Sequence, residues 1–566
     1  MLSLPNRKLE RSSASIASLE LGRQEGSALN ALSSAWTIAA VGIASVIAVP
    51  SLAVLASLAH PAREVWAHLW RTQLLELLGN TLALLAGVGA GTLVVGAGLA
   101  WLVVTYRFPG RAVLEWALVL PLAVPAYVIG FAFLGLFDFT GPVQGALRRW
   151  TGTGVRLPEL RSYWGVVLMM TLVFYPYVYL LARAAFREQG AATLETARSL
   201  GRSRVRAFIE VTLPLARPSI AAGVSLAMME ALADFGTVAT FGYRTLTEAV
   251  YRVWYGMFDR TAAAQVASLL LLFALGLLVL ERSLRGRARF TQSQRRGPGV
   301  TPLALAGWKG WAATGAGFAI LALAFVLPVV QLIVWARDAS GRWRASSFVT
   351  LLGNTLVLAA LAAVCALALA LVLAYAARLH PSALVRASAR AASMGYALPG
   401  AVIAVGVLVP LAWLDRAVGH AAGWALGHSA GLVLTGSTAG LLFAYVARFL
   451  SVSFQTLEAS LTKIPASLDD AARSLGASIG GTLRRIHLPL IRGGVLTALI
   501  LVFVETMKEM PATLLLRPLG LDTLAIAVWE RTSESLWADA AAPALAIVAA
   551  GLIPVLVVIR LSSKRP

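Results

Sequence analysis

Two short clusters of charge interrupt stretches that are otherwise apolar. Glu230 and Asp234 fall in the window 218–241, and Glu505, Lys508 and Glu509 fall in 493–516. A carboxylate at the centre of a bilayer costs about 2.5–3.5 kcal/mol on insertion scales, so such groups face a cavity or a partner. Glu230 and Asp234 lie four apart, as do Glu505 and Glu509, which puts each pair on one face of a helix. If both faces point at the interface between the two stretches, four acidic groups line one path, and that path suits a cation. The competing expectation is that Lys508 neutralises one Glu while the others sit near helix ends or tether neighbouring helices. No permanent metal cage is expected. The six His (60, 68, 380, 420, 428 and 487) form no ligand pair at helical spacing, and the single Cys365 lies in an apolar run. Carboxylate oxygen would hold a hard cation only in passage.

The elements that must position these groups follow from composition. Of 566 residues, 58% are hydrophobic and only 13% charged, with a mean hydropathy of +0.76. A soluble chain needs about a quarter charged residues, so a soluble enzyme, a disordered regulator and a disulfide scaffold are excluded. The net charge of +21 does not indicate nucleic acid, because Arg and Lys gather in short loops between apolar runs, as the positive-inside rule requires. A crossing helix needs about 20 apolar residues. Ten uncharged windows qualify: 35–59, 82–104, 116–137, 163–182, 262–280, 312–336, 352–377, 391–414, 429–447 and 540–559. With the two charged windows they make twelve spans of an all-α polytopic membrane protein. The polar residues 1–34 make the first span a signal anchor rather than a cleaved peptide. Basic residues in 183–217, 282–309 and 448–492 place both termini in the cytoplasm.

The chain repeats itself at a spacing near 275 residues. Leu78-Gly79-Asn80-Thr81-Leu82 recurs as Leu352-Gly353-Asn354-Thr355-Leu356, Leu120-Pro121 as Leu398-Pro399, and Leu213-Pro214 as Leu488-Pro489. Glu230 and Asp234 fall opposite Glu505 and Glu509. Six spans per half is an even number, so both halves enter the membrane in the same direction, a recognised transporter plan. The expected organisation is a tail over 1–34, a first repeat over 35–281, a linker over 282–311, a second repeat over 312–560 and a tail over 561–566.

The two longest loops share a pattern. Glu195-Thr196-Ala197-Arg198-Ser199-Leu200-Gly201 is followed after nine residues by Val211-Thr212-Leu213-Pro214. Asp470-Ala471-Ala472-Arg473-Ser474-Leu475-Gly476 is followed after nine by Ile486-His487-Leu488-Pro489. Small Ala residues let a short helix lie close against a partner, and the Gly permits the positive φ or close approach at which the chain turns. An ordinary amphipathic interfacial helix is the alternative reading.

At these residues the chain resembles the membrane subunits of ATP-binding-cassette importers, whose EAA loop has this form, with Asp470 standing where the motif has Glu and Thr196 where it has Ala. The resemblance implies the type I (MetI-like) permease fold as two parallel six-helix repeats. It also implies coupling to two ATPase subunits through Glu195, Ala197, Gly201, Leu213 and Pro214, and through Asp470, Ala472, Gly476, Leu488 and Pro489. ATP would be bound by those partners. None of the Lys residues here completes a G-K-[ST] phosphate loop, so no enzyme activity and no cofactor is expected in this chain.

The stretch from Glu505 to Ala525, taken with Glu230 to Thr237, resembles the fused ferric-iron permeases over residues 35–560. That implies a substrate-binding protein as partner and a bacterial inner membrane as location. Pro511 is expected to break the helix and leave Arg517 and Asp522 in an outer loop, contacting the binding protein or solvated. Permeases for thiamine or a phosphonate are similar, and four carboxylates favour a cation over an anion. A twelve-span secondary carrier also has six-plus-six repeats but lacks the paired loops.

Overall fold

The computed structural model describes residues 35–59, 62–152, 156–189, 199, 201–285, 302–426 and 433–563. The tail 1–34, most of the linker, Glu195 and Ala197 lie outside the described residues.

Among the described residues, twelve helices are long and apolar enough to cross a membrane: Ala35–Ala59, Leu74–Thr105, Ala126–Thr151, Tyr163–Glu188, Phe208–Ala233, Arg260–Leu284, Trp308–Asp338, Ala345–Leu379, Gly400–His420, Thr438–Leu461, Ile479–Lys508 and Trp537–Leu556. They are numbered here in that order. All but the first of them take in charged residues, which corrects the sequence expectation that only the fifth and eleventh carry charge. The ninth span runs past residue 414 to take in Asp415, and the tenth takes in Arg448, which the windows had left in a loop. Both charges are satisfied within the protein. Asp415 accepts the backbone N–H groups of Val433, Leu434 and Thr435 at 3.0, 2.8 and 2.7 Å, and Arg448 has an acidic partner described below.

The described residues divide into two compact units, whose bounds along the chain are as follows. The smaller comprises Met1–Ala48, Val364–Gly395 and Leu450–Leu499. The larger comprises Val49–Ala363, Tyr396–Phe449 and Ile500–Pro566. In the larger unit the fourth span is the best enclosed, with Tyr175, Tyr179 and Phe186 fully buried. The second and fifth spans lie against it. Tyr106 and Arg107, just after the second span, pair in parallel with Leu303 and Ala304, which pins the chain as it approaches the seventh span.

The third and ninth spans open on a proline. Pro125 accepts from Val128 and Ile129 at 3.0 and 3.2 Å, and Pro399 accepts from Val402 and Ile403 at 3.0 and 3.2 Å. The counterpart of Pro399 is therefore Pro125, 274 residues earlier, and not Pro121 as the matching of Leu-Pro pairs suggested. Pro121 lies instead in a single tight turn over Leu120–Ala123.

The fifth and eleventh spans each carry one widened π-turn, at Phe208–Thr212 and Leu483–His487. Each stands directly before a Leu-Pro pair. A proline brings no N–H to the ladder and its ring crowds the carbonyl four residues back. Widening the turn by one residue relieves both problems. Of the two other π-turns among the described residues, Ala322–Val326 precedes Leu327-Pro328 in the same way, whereas Leu93–Ala97 has no proline directly after it.

Candidate functional site

The fifth span ends at Ala233 and the eleventh at Lys508, so Asp234 and Glu509 stand where the helices stop. Each caps the short helix that follows. Asp234 Oδ1 accepts from the Thr237 N–H at 2.6 Å, at the start of Gly236–Thr240. Glu509 Oε1 accepts from the Ala512 N–H at 2.8 Å, at the start of Pro511–Leu516. A side-chain oxygen at this position satisfies a donor that the helix cannot. One turn back lie Glu230, which accepts from the Tyr396 hydroxyl at 2.9 Å, and Glu505, 3.3 Å from Lys508 Nζ.

All four carboxylates line one cavity of about 100 Å³ in the larger unit. That is well below the roughly 300–1,000 Å³ of pockets that enclose drug-sized ligands, so in this conformation it has room for a small ion and little more. Its lining comes in pairs one repeat apart: Glu230 with Glu505, Asp234 with Glu509, Val173 with Arg448, and Ala233 with Lys508. Arg448 Nη1 lies 2.9 Å from Glu509 Oε2, with both side chains nine-tenths buried or nearly so. Lys508 also donates to the Leu122 carbonyl at 3.2 Å. Lys508 does neutralise a Glu, but Arg448 neutralises a second, and the sequence reading had missed it. A basic residue opposite a Val in the other repeat was the signal.

Beyond the short helices the two repeats continue to match. Asn80 Nδ2 donates to the Arg244 carbonyl at 3.0 Å and Asn354 Nδ2 to the Asp522 carbonyl at 3.1 Å. Thr81 Oγ1 accepts from Leu246 N–H at 3.0 Å and Thr355 Oγ1 from Leu524 N–H at 2.9 Å. The repeated Asn-Thr pair thus holds the chain that leads into the helices Leu246–Gly256 and Leu524–Ser533. Tyr251 then donates to the Pro511 carbonyl at 2.6 Å, joining a first-repeat helix to the second-repeat cap. Arg517 pairs with Asp522 and, at 2.7 Å, with Glu530, so the loop is tied to itself.

The second loop motif lies in the smaller unit. A helix runs over Ala466–Ser474 and closes on Gly476, whose φ is +76°. Gly476 N–H donates to the Arg473 carbonyl and Ala477 N–H to the Ala472 carbonyl, both at 2.9 Å. This is the paired bonding of a left-handed helix stop, which favours Gly. Asp470 is exposed and, among the described residues, pairs only with Arg473, at 2.5 Å, while Ala472 faces inward, 4% exposed. Leu488 is half-buried and Pro489 exposed. Of the first loop motif, Gly201 is exposed with φ +82°, Leu213 half-buried and Pro214 exposed.

The acidic residue that holds the second loop helix is the one before the motif. Asp469 Oδ2 accepts from Arg378 Nε and Nη2 at 3.0 and 2.8 Å, and Asp469 Oδ1 lies 2.6 Å from Nε2 of the fully buried His487. Arg378 also donates to the Leu461 and Ile464 carbonyls at 2.7 and 3.1 Å.

The sequence pattern of one family, described as binding-protein-dependent transport system inner membrane component, matches this chain twice, over residues 92–289 and 366–564. The Fe(3+)-transport system permease protein FbpB 2 of Haemophilus influenzae is 29% identical over 496 residues, covering 86% of this chain and 90% of that protein. The sulfate transport system permease protein CysT of Escherichia coli is 30% identical over 237 residues, 40% of this chain and 83% of its own. The molybdenum transport system permease protein ModB of Escherichia coli is 33% identical over 188 residues, 32% of this chain and 78% of its own.

Proposed function

Since the chain belongs to the binding-protein-dependent transport system inner membrane components and carries that domain twice, we propose that it forms the whole translocation path of an ATP-binding-cassette importer for ferric iron. As a multi-pass inner-membrane permease it takes cargo from a substrate-binding protein on one side. On the cytoplasmic side it engages two ATPase subunits, which bind and hydrolyse ATP. The repeats 35–281 and 312–560 act as the two moving halves, with the linker 282–311 and both termini in the cytoplasm. The loops centred on Gly201 and Gly476 are the coupling handles, and exposure of both glycines leaves them open to a partner.

The observation that carries the cargo reading is the cavity, where equivalent positions of the two repeats bring together Glu230, Asp234, Glu505 and Glu509. Oxygen-rich, acidic surroundings suit a hard cation. A relative that covers 86% of this chain is an Fe(3+) permease. An oxyanion is the second reading. It rests on Arg448 and Lys508 in the same cavity and on the sulfate and molybdenum permeases among the relatives.

Reconstitution with the ATPase subunits and the binding protein tests the proposal. ATP-dependent uptake should be seen with ferric iron and not with thiamine, a phosphonate, sulfate or molybdate. Uptake of one of these in place of iron overturns the cargo.

A further inference from the structure

The cluster of Asp469, Arg378, His487 and Tyr375 has no part in the cavity and is too well enclosed to contact a partner through its core. Arg378 lies at the end of the eighth span, Asp469 in the loop helix Ala466–Ser474, and His487 in the π-turn of the eleventh span. Asp469 therefore joins three elements of the smaller unit through contacts on both of its carboxylate oxygens. Tyr375 closes the group, with its hydroxyl 3.2 Å from His487 Nδ1, and Trp36 of the first span meets the Tyr375 ring edge-on at 5.6 Å. The Arg378 fork also holds two carbonyls just before the loop helix, so the guanidinium fixes both the direction in which the chain approaches that helix and the helix itself. Planar, multidentate donation of this kind is specific to Arg.

The matching positions of the first repeat hold different residue types. One repeat earlier, His487 falls on Thr212, Asp469 on Leu194 and Arg378 on Val103 or Val104. None of these carries a charge.

We infer that Arg378, Asp469 and His487 form a brace that makes the second loop helix move as one body with the eighth and eleventh spans, so that the ATPase subunit seated on this loop transmits more of its motion than the one seated on the first. This rests on the reading of the loops as coupling handles. Arg378 and His487 are positioning residues. They touch neither cargo nor nucleotide, and act by holding the helix that an ATPase pushes. Removing the brace should leave the complex assembled and hydrolysing ATP while the helix slips against the spans.

The measurement is cargo moved per ATP hydrolysed, in vesicles holding the permease, its ATPase subunits and the binding protein. Arg378→Gln and His487→Gln should each lower that ratio about tenfold, within the usual range of coupling between sites, with the ATPase subunits still co-purifying. The double variant Arg378→Gln with Asp469→Asn should be no worse than Arg378→Gln alone, because the two act as a unit. Thr212→Val, at the matching place in the first repeat, should change the ratio by less than about twofold. An unchanged ratio in Arg378→Gln overturns the brace. So does loss of the ATPase subunits from that variant, since the cluster would then serve assembly alone. A Gly476→Val complex that retains transport-stimulated hydrolysis would instead overturn the coupling reading itself, and the Arg378 results cannot mimic that outcome.

Discussion

The two walls of the acidic cavity are built on one plan and balanced differently. Where the second repeat places Arg448 and Lys508, the first places Val173 and Ala233. Glu505 and Glu509 therefore each meet a cation, whereas Glu230 and Asp234 are held by a tyrosine hydroxyl and a backbone N–H. A neutral donor steadies a carboxylate without cancelling its charge. A guanidinium cancels it. The duplicated scaffold survives in the caps and in the Asn-Thr brackets, while the charge has diverged, and the first-repeat wall is the one whose two carboxylates are held by uncharged donors.

This contrast can be broken at three places. The largest effect is expected from Arg448→Met, which leaves Glu509 buried beside no counter-charge. Breaking a buried pair in this way costs about 3–5 kcal/mol, and a lowered melting midpoint in detergent would register it. Next come the acids themselves. Glu230→Gln and Asp234→Asn should each reduce uptake about tenfold, the equivalent of about 1.4 kcal/mol, with Glu505→Gln clearly milder. Equal losses from both walls would show that the charge difference does not matter to cargo. The smallest effect tests the part of the plan that the repeats share. Thr81→Val and Thr355→Val each remove one bracket hydrogen bond worth about 1 kcal/mol, and their thermal shifts should agree. A large disparity would mean that the brackets are not equivalent.

Much of this was legible in the chain, and the failures have physical causes. The twelve spans stand out because an apolar run of that length has few other uses, and the acid pairs stand out because charge there is costly. Windows chosen to contain no charge stop at Asp415 and Arg448, although a helix continues for as long as its ladder is intact and the charge finds a partner. Asp470 matches the motif by position, yet Asp469 makes the buried contacts. Neighbours on a helix point about 100° apart, and which of two adjacent aspartates faces inward depends on Arg378 and His487, remote in sequence. The Asn-Thr repeat was visible as a repeat, but its use depends on backbone groups more than 160 residues away.

The π-turn at Phe208–Thr212 has an effect well beyond its own five residues. It inserts one extra residue into the fifth span, and one residue is about 100° of helical rotation. The azimuth at which Glu230 emerges is thus set some twenty residues upstream, by a ring that cannot hydrogen-bond. If Pro214 alone holds the widened turn, Pro214→Ala should restore regular pitch and turn the acidic face, read as a loss of uptake equal to that of Glu230→Gln; unchanged uptake would assign the turn to its packing. The compass bearing of the acid pair is written in a proline that lies outside the cavity lining.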